Sequence, residues 1–167
     1  SFALADSTAD VRMVLSPTAA PLLDTMRIAA RRLPGRFDAF EARRVSRATT
    51  ATITRADIDR RHPVHTWQLL TRISSVRITA SALGVFAASG RGDTPSLIEP
   101  GKACPMQILV DGVRLSPADG SEVDLHQLPP PDAIHGIEVF AGAARLPLEF
   151  GGAGANRWCG VIAIWTR

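Results

Sequence analysis

The stretch MQILVDGVRL, residues 106–115, constrains the fold of this chain more than any other part of its sequence. Ile108 and Val110 alternate with Gln107 and Leu109, a pattern that predicts a β-strand. The dipeptide Asp111-Gly112 follows, and it favours a two-residue hairpin turn because both central positions of a type I′ turn need positive φ. The sequence therefore predicts a β-hairpin at this position.

Two short helices are predicted upstream of this hairpin. Residues 36–47 place phenylalanine and arginine side chains at helical spacing, which indicates a first, arginine-rich helix. Thr54 and Asp57 form a variant capping box, with Asp in the usual Glu position, and mark the start of a second helix. Pro63 ends that helix, because proline lacks a backbone donor and clashes with the preceding turn.

A third helix is predicted to begin at Thr66, whose side chain can cap the free N–H groups of the first turn. Trp67, Leu70 and Ile73 recur at a spacing of three residues, so we expect them to form one buried stripe. Residues 81–103 contain repeated glycine and proline and are predicted to be a loop.

Further strands are predicted at residues 76–79, from Ile137 onward, and over the final stretch GVIAIWTR, residues 160–167. One helical turn is expected at Asp132–His135, just before the strand that begins at Ile137. Together these elements predict an α+β fold: a small mixed β-sheet with short helices and long Gly/Pro-rich loops.

Residues 1–22 are predicted to be an extended N-terminal arm, and residues 23–167 the folded domain. Val11, Met13 and Leu15 form one apolar edge of a short strand within the arm. An exposed strand or groove on a partner could accept this edge by backbone pairing. We therefore expect these three residues to contribute to a partner interface.

The net charge of +3 conceals an excess of arginine between Arg27 and Arg61. This basic region either attracts an acidic partner or anionic headgroups, or forms ordinary solvated helix surface. Nucleic acid is not expected as a partner, because few aromatic residues are interleaved with the arginines and no recognition motif is present. The candidate contact residues are Arg31, Arg32, Arg43 and Arg44, together with Trp158 in a glycine-rich stretch.

Templates for catalytic, metal and cofactor sites are not matched. The stretch EPGKA resembles the end of a phosphate loop, but Ala103 stands where Ser or Thr must hold magnesium. The stretch GAGANR has Arg157 where a dinucleotide-binding loop needs its last glycine. The four histidines show no metal-ligand spacing. We therefore expect neither an enzyme, nor a cofactor, nor a metal site.

Cys104 and Cys159 each precede a predicted strand. A metal site would need at least one more ligand nearby, and a reactive thiol would need a partner base, whereas a disulfide needs only that the two strand heads be neighbours. An even number of cysteines in an exported chain favours the disulfide. The first residue is Ser1 rather than Met, so we expect that a segment was removed, either an export signal or residues trimmed from the given sequence. With removal of an export signal, we expect the protein to be periplasmic.

Four stretches, taken in order, resemble the plug domain of TonB-dependent outer-membrane receptors. They are ITRADIDRRHPVHTWQLLTRISSVRI, MQILVDGVRL, PPPDAIHGIEVFAG and FGGAGANRWCGVIAIWTR. The resemblance spans roughly residues 23–167. Asp24–Ala30 is also similar to the energy-coupling box that precedes such plugs, although Arg27 interrupts the usual apolar run.

The resemblance implies a plug fold, which in that family is followed at once by a transmembrane barrel. The sequence ends where the barrel would begin, so we expect a stand-alone plug. The pair Cys104 and Cys159 resembles a subgroup of stand-alone plug-like proteins in which one cysteine precedes the LVDG strand and another precedes GVI.

Two functions follow from this resemblance. The first is a non-enzymatic periplasmic scaffold that docks, through protein contacts rather than a spanning segment, on an integral membrane protein complex, with a photosynthetic reaction-centre and antenna assembly as one expected home. The second is the plug of a TonB-dependent transporter, acting in trans or as a receptor fragment, that gates substrate uptake. A periplasmic module that binds a small ligand or glycan is a further alternative.

Overall fold

The computed structural model of the chain describes residues 35–93, 103–117, 121–150 and 158–167. Within these ranges eight strands form two sheets. The strands are β1 (Ala51–Thr54), β2 (Val76–Ser81), β3 (Gly84–Asp93), β4 (Ala103–Pro105), β5 (Gln107–Val110), β6 (Val113–Arg114), β7 (Ile134–Phe140) and β8 (Val161–Thr166). The α-helices are α1 (Asp38–Ser46) and α2 (Arg55–Arg61). Short 3₁₀ helices cover Thr66–Arg72, Leu125–Gln127, Pro131–Ala133, Ala143–Arg145 and Leu148–Phe150.

The larger sheet has the strand order β1-β7-β8-β5-β6, and the smaller sheet has the order β2-β3-β4. Strand β5 runs parallel to β8, whereas every other pair in the two sheets is antiparallel. The chain passes directly from β4 in the smaller sheet to β5 in the larger one. The predicted α+β class with a mixed sheet is confirmed.

The hairpin at Asp111-Gly112 forms as predicted. The two turn residues have φ values of 51° and 81°, and Val110 pairs with Val113 across the turn. Within β5, both Ile108 and Leu109 are buried. Strand β5 lies inside the larger sheet, and that sheet carries a hydrophobic cluster on each face.

The two predicted α-helices are present. Helix α1 lies within the predicted range 36–47, and Thr54 and Asp57 form the predicted capping box at the start of α2. Helix α2 ends before Pro63, with His62 in the left-handed region at φ 45°. These features depend on residues within one or two turns of each other, which is why the sequence pattern was sufficient.

The third predicted helix differs in type. Thr66–Arg72 is a 3₁₀ helix, and the side chain of Thr66 donates to the carbonyl of Pro129 at 2.5 Å instead of capping the first turn. The predicted stripe does face the core: Leu70 is fully buried, and Trp67 and Ile73 pack against the same cluster.

The predicted loop over residues 81–103 is wrong in its first half, where the structure has the ten-residue strand β3. Its glycines weaken the local strand pattern, but β3 forms backbone pairs with β2 on one side and β4 on the other. Small side chains, including Ala87 and Ala88, let it pack tightly into the core. Strand β7 likewise begins at Ile134 rather than at Ile137, after a 3₁₀ turn over Pro131–Ala133.

The hydrophobic core divides into two clusters on opposite faces of the larger sheet. The first is large and brings β1, β5, β7 and β8 against α2, the 3₁₀ helix Thr66–Arg72 and the smaller sheet. The second is small and consists of Leu109, Phe140, Phe150, Val161 and Ala163. Alternation along β7 and β8 directs neighbouring side chains to the two clusters in turn. The second face is the one that also receives the side chain of Glu138.

Candidate functional site

A fully buried carboxylate lies on the second face of the larger sheet. Glu138 stands between Ile137 and Val139 in β7, and none of its surface is exposed to solvent. A charged group in such surroundings is very unfavourable unless it is paired and hydrogen-bonded. The contacts of Glu138 therefore define the most unusual polar site in the described part of the fold.

Arg43 of α1 is the charge partner of Glu138. Its Nε donates to Oε1 at 2.9 Å and its Nη2 donates to Oε2 at 2.8 Å, which is a bidentate arrangement. Trp165 in β8 adds a third hydrogen bond, from Nε1 to Oε2 at 2.9 Å. Nη1 of Arg43 also contacts Glu149. One guanidinium thus joins helix α1 to β7 and to the 3₁₀ helix Leu148–Phe150.

Aromatic rings complete the surroundings of Arg43. Its guanidinium carbon lies 5.2 Å from the centre of the Phe150 ring and 5.7 Å from that of Trp165, both within range of a cation–π contact. Burial opposes the charge of Arg43, but hydrogen bonds and charge attraction from Glu138 and Glu149 outweigh it and raise the pKa of the guanidinium. The side chain, only 12% exposed, stays charged.

Helix α1 is attached to the larger sheet by both polar and aromatic contacts. Phe40 is its one fully buried side chain and contacts the edge of the His135 ring at 5.5 Å between centroids, and Phe37, just before the helix, stacks on the same ring at 3.8 Å. Arg36 pairs with Asp111 at 2.7 Å and donates to Thr166 at 3.2 Å. The attachment of α1 therefore combines aromatic contacts with ion pairs, of which the pair of Arg43 and Glu138 is the buried one.

The predicted disulfide is confirmed. Cys104 and Cys159 are bonded, with their Cα atoms 5.3 Å apart and 55 residues between them in sequence. The bond joins β4, at the edge of the smaller sheet, to the residue two before β8, the central strand of the larger sheet. Residues 104–159 consequently form a covalently closed loop that contains β5, β6 and β7.

The structure describes some of the predicted interface residues. Arg44 is exposed and pairs with Glu41 in its own helix, and Trp158 is 50% exposed. Arg43, by contrast, turns inward, and its charge is used inside the fold. The roles of Arg44 and Trp158 in a partner interface remain predictions. Val11, Met13, Leu15, Arg31, Arg32 and the stretch Asp24–Ala30 lie outside the described residues, as does the predicted domain boundary at residue 23.

Sequence reasoning did not single out Glu138 as a site residue. A usable signal was present, because a lone glutamate within the apolar run IEVF indicates a buried carboxylate in need of a cation. The arginine-rich helix α1 supplies that cation. Because α1 lies far from Glu138 in sequence, the pair could not be recognised from the sequence pattern.

Two further observations bear on the described ranges only. They contain no group of three His, Cys, Asp or Glu side chains placed to hold a metal ion. None of the helices in the same ranges combines the length and the apolar character needed to cross a bilayer. The expectation that the protein needs no metal or cofactor remains a prediction.

The comparisons with known proteins point to one family. The model of the TonB-dependent receptor plug domain matches residues 42–156. The siderophore receptor PirA from Acinetobacter baumannii is 22% identical, with a TM-score of 0.49, over 70% of this chain and 17% of that one. The ferric enterobactin receptor PfeA, in complex with BCV-L6, is 24% identical, with a TM-score of 0.48 and the same two coverages.

No curated protein matches the chain at a significant level. The chain spans 17% of the length of the two receptors that it resembles, and their likeness concerns the fold alone. The family model matches more than half of the chain. This chain belongs to the family of TonB-dependent receptor plug domains.

Proposed function

We propose that the chain acts as the plug of a TonB-dependent outer-membrane transporter and gates substrate uptake from the periplasmic side. It does so either in trans or as part of a longer receptor. The family match over residues 42–156 supports this role. The observation that carries the proposal is the polar attachment of α1 to the larger sheet through Arg43 and Glu138.

Polar contacts suit a helix that must detach from the sheet and bind to it again. When a buried ion pair separates into water, both charges regain their hydration, which offsets much of the lost attraction. Apolar contacts have no such compensation, and α1 buries only Phe40 completely. The ion pair therefore fixes the docked position of helix α1. Because water hydrates both Arg43 and Glu138 once the helix detaches, the free energy needed to detach it is modest.

The two sheets of the plug are held together by a covalent bond. The disulfide between Cys104 and Cys159 holds the smaller sheet against the centre of the larger one. Helix α1 precedes the closed loop 104–159 in the chain. It can thus leave without any covalent bond breaking. In this proposal α1 moves, and residues 104–159 remain a fixed body.

The test uses the receptor that contains the chain or co-purifies with it from native membranes. Planar bilayers would hold this receptor with residues 34–167 either deleted or present, and the conductance would be recorded. We expect the plug to lower the conductance strongly and Arg43→Met to restore part of it. Arg44→Met is the matched control, because Arg44 is exposed and only pairs within its helix. Equal conductance with and without the plug would overturn the proposal.

An extrinsic subunit of a larger membrane complex is the second candidate function. It is favoured by apolar side chains that project into solvent, Leu148 at 99% exposure and Trp158 at 50%. The family match and the solved structures lend no support to a photosynthetic complex. Gentle purification from native membranes separates the two candidates: a receptor among the co-migrating proteins favours the plug, and a complex without one favours the subunit.

A further inference from the structure

A basic groove lies between the end of α2 and the 3₁₀ helix Thr66–Arg72. Its volume is about 470 Å³, within the range of small-ligand sites. Arg60 and Arg61 reach it from the last turn of α2, and Arg72 reaches it from the end of the 3₁₀ helix. No carboxylate lines the groove among the described residues.

Two of these arginines are unpaired, which sets them apart from most arginines of α1 and α2. Arg43, Arg44, Arg55 and Arg60 each pair with a carboxylate. In the described ranges the guanidinium groups of Arg61 and Arg72 make neither an ion pair nor a hydrogen bond. The groove therefore holds two guanidinium groups, those of Arg61 and Arg72, that have no direct carboxylate partner in the described part of the fold.

Gln68 adds hydrogen-bond donors to the same groove. Its Oε1 accepts from the backbone N–H groups of Val64, at 2.8 Å, and His65, at 3.2 Å. The carbonyl oxygen of the amide is thereby hydrogen-bonded to the segment that precedes the 3₁₀ helix. Its NH₂ group keeps two donors that have no partner among the described residues. The side chains of Arg61, Gln68 and Arg72 thus offer donors only.

A structural role accounts for part of this arrangement. Arg60 and Arg61 lie in the last turn of α2, where cations are favourable because the helix dipole is negative there. That effect falls off within one turn, and Arg72 belongs to a different element. The dipole of α2 thus explains why its own last turn is basic. It does not explain why Arg72 borders the same groove.

We propose that this groove binds a phosphoryl group, carried by a small phosphomonoester. The planar fork of arginine matches the oxygens of phosphate, and a phosphomonoester dianion offers acceptors to a lining rich in donors. Arg61 from α2 and Arg72 from the 3₁₀ helix bind the oxygens, and the NH₂ group of Gln68 donates to the same group. This site does not depend on the gating role proposed above.

The first experiment titrates the full chain with inorganic phosphate at constant ionic strength, with chloride as the balancing anion. The Nε–Hε resonances of the arginines report binding. We expect saturable shifts at Arg61 and Arg72, and affinity lower by about fivefold in Arg61→Gln and in Arg72→Gln. Arg47→Gln is the matched control, because Arg47 is also exposed and unpaired in the described ranges but does not border the groove.

A second titration uses dihexanoyl phosphatidic acid below its micellar concentration, which separates a lipid headgroup from a free phosphate ester. Tighter binding than inorganic phosphate, with added shifts at exposed Val64, assigns the site to a lipid headgroup. Equal or weaker binding, with saturation by inorganic phosphate, assigns it to a soluble ester. The proposal is overturned if neither probe saturates, or if Arg47→Gln weakens binding as much as Arg61→Gln while all variants keep the wild-type spectrum elsewhere.

Discussion

Arg43 donates to both carboxylate oxygens of Glu138, and this pair joins helix α1 to strand β7 of the larger sheet. The two residues lie 95 positions apart in sequence. Glu138 has no access to solvent, and Arg43 is its ion-pair partner while the helix stays docked. The stability of the protein should consequently be sensitive to either partner alone.

Removal of Arg43 alone should be strongly destabilising. In Arg43→Met the carboxylate of Glu138 stays buried without its cation, and we expect the free energy of unfolding to fall by about 3–5 kcal/mol. Urea denaturation followed by circular dichroism measures this change. Arg44→Met, which breaks only the exposed pair with Glu41, should cost less than about 1 kcal/mol.

The double variant Arg43→Met/Glu138→Gln tests whether the cost comes from the stranded charge. A neutral amide has a much lower desolvation penalty than a carboxylate, so the double variant should be more stable than Arg43→Met by about 1–3 kcal/mol. Additive losses from the two single changes would show that Arg43 acts by packing on Phe150 and Trp165 instead.

The disulfide should contribute substantially to stability. A closed loop with a sequence separation of 55 gives about 4 kcal/mol in the chain-entropy description. We expect Cys104→Ala/Cys159→Ala to lose an amount of this order in urea denaturation. The intact protein should also be two hydrogens lighter by mass spectrometry than its reduced form. Two freely alkylatable thiols in the native protein would contradict the bond.

Gly136 in β7 provides the contact surface for Phe40. A Cβ atom at this position would lie 2.5 Å from Cζ of Phe40 and 3.1 Å from the carbonyl oxygen of Ile53. Gly136→Ala should therefore lower the free energy of unfolding by about 1–3 kcal/mol. In a Phe40→Leu background, which removes the ring, the same alanine should cost clearly less. An equal cost in both backgrounds would place the strain at Ile53 and not at Phe40.

Asp111 should make stability dependent on pH in the acid range. Burial favours its neutral form, but hydrogen bonds from Thr166 and the charge of Arg36 outweigh burial and lower the pKa of the carboxyl. A lowered folded-state pKa gives stability that is fully present above the unfolded pKa of about 4. That stability disappears as the pH falls through the lower folded-state value.

Asp111→Asn isolates this contribution, because asparagine also tolerates the positive φ of the turn. Urea denaturation between about pH 6 and about pH 2.5 should show a shallower loss of stability below about pH 4 in the variant than in the wild type. Parallel curves for the two proteins would mean that other carboxylates carry the acid dependence.

Some features followed from the sequence because their causes are local. The capping box of Thr54 and Asp57 and the turn at Asp111-Gly112 each depend on residues within four positions of one another. The pairing of Cys104 with Cys159 was also predicted, since both cysteines precede strands and the count is even. The resemblance to receptor plugs rested on four such stretches in a fixed order.

Other features required the tertiary structure, because their causes are distant in sequence. Strand β3 forms in a glycine-rich stretch only because β2 and β4 supply backbone partners on both sides. The inward direction of Arg43, unlike that of its neighbour Arg44, depends on a carboxylate far along the chain. The sequence by itself determined the local turns, caps and periodicities and the family to which they belong. Only the packed fold decided which charges are buried together and which remain free, because burial and pairing are properties of neighbours in space.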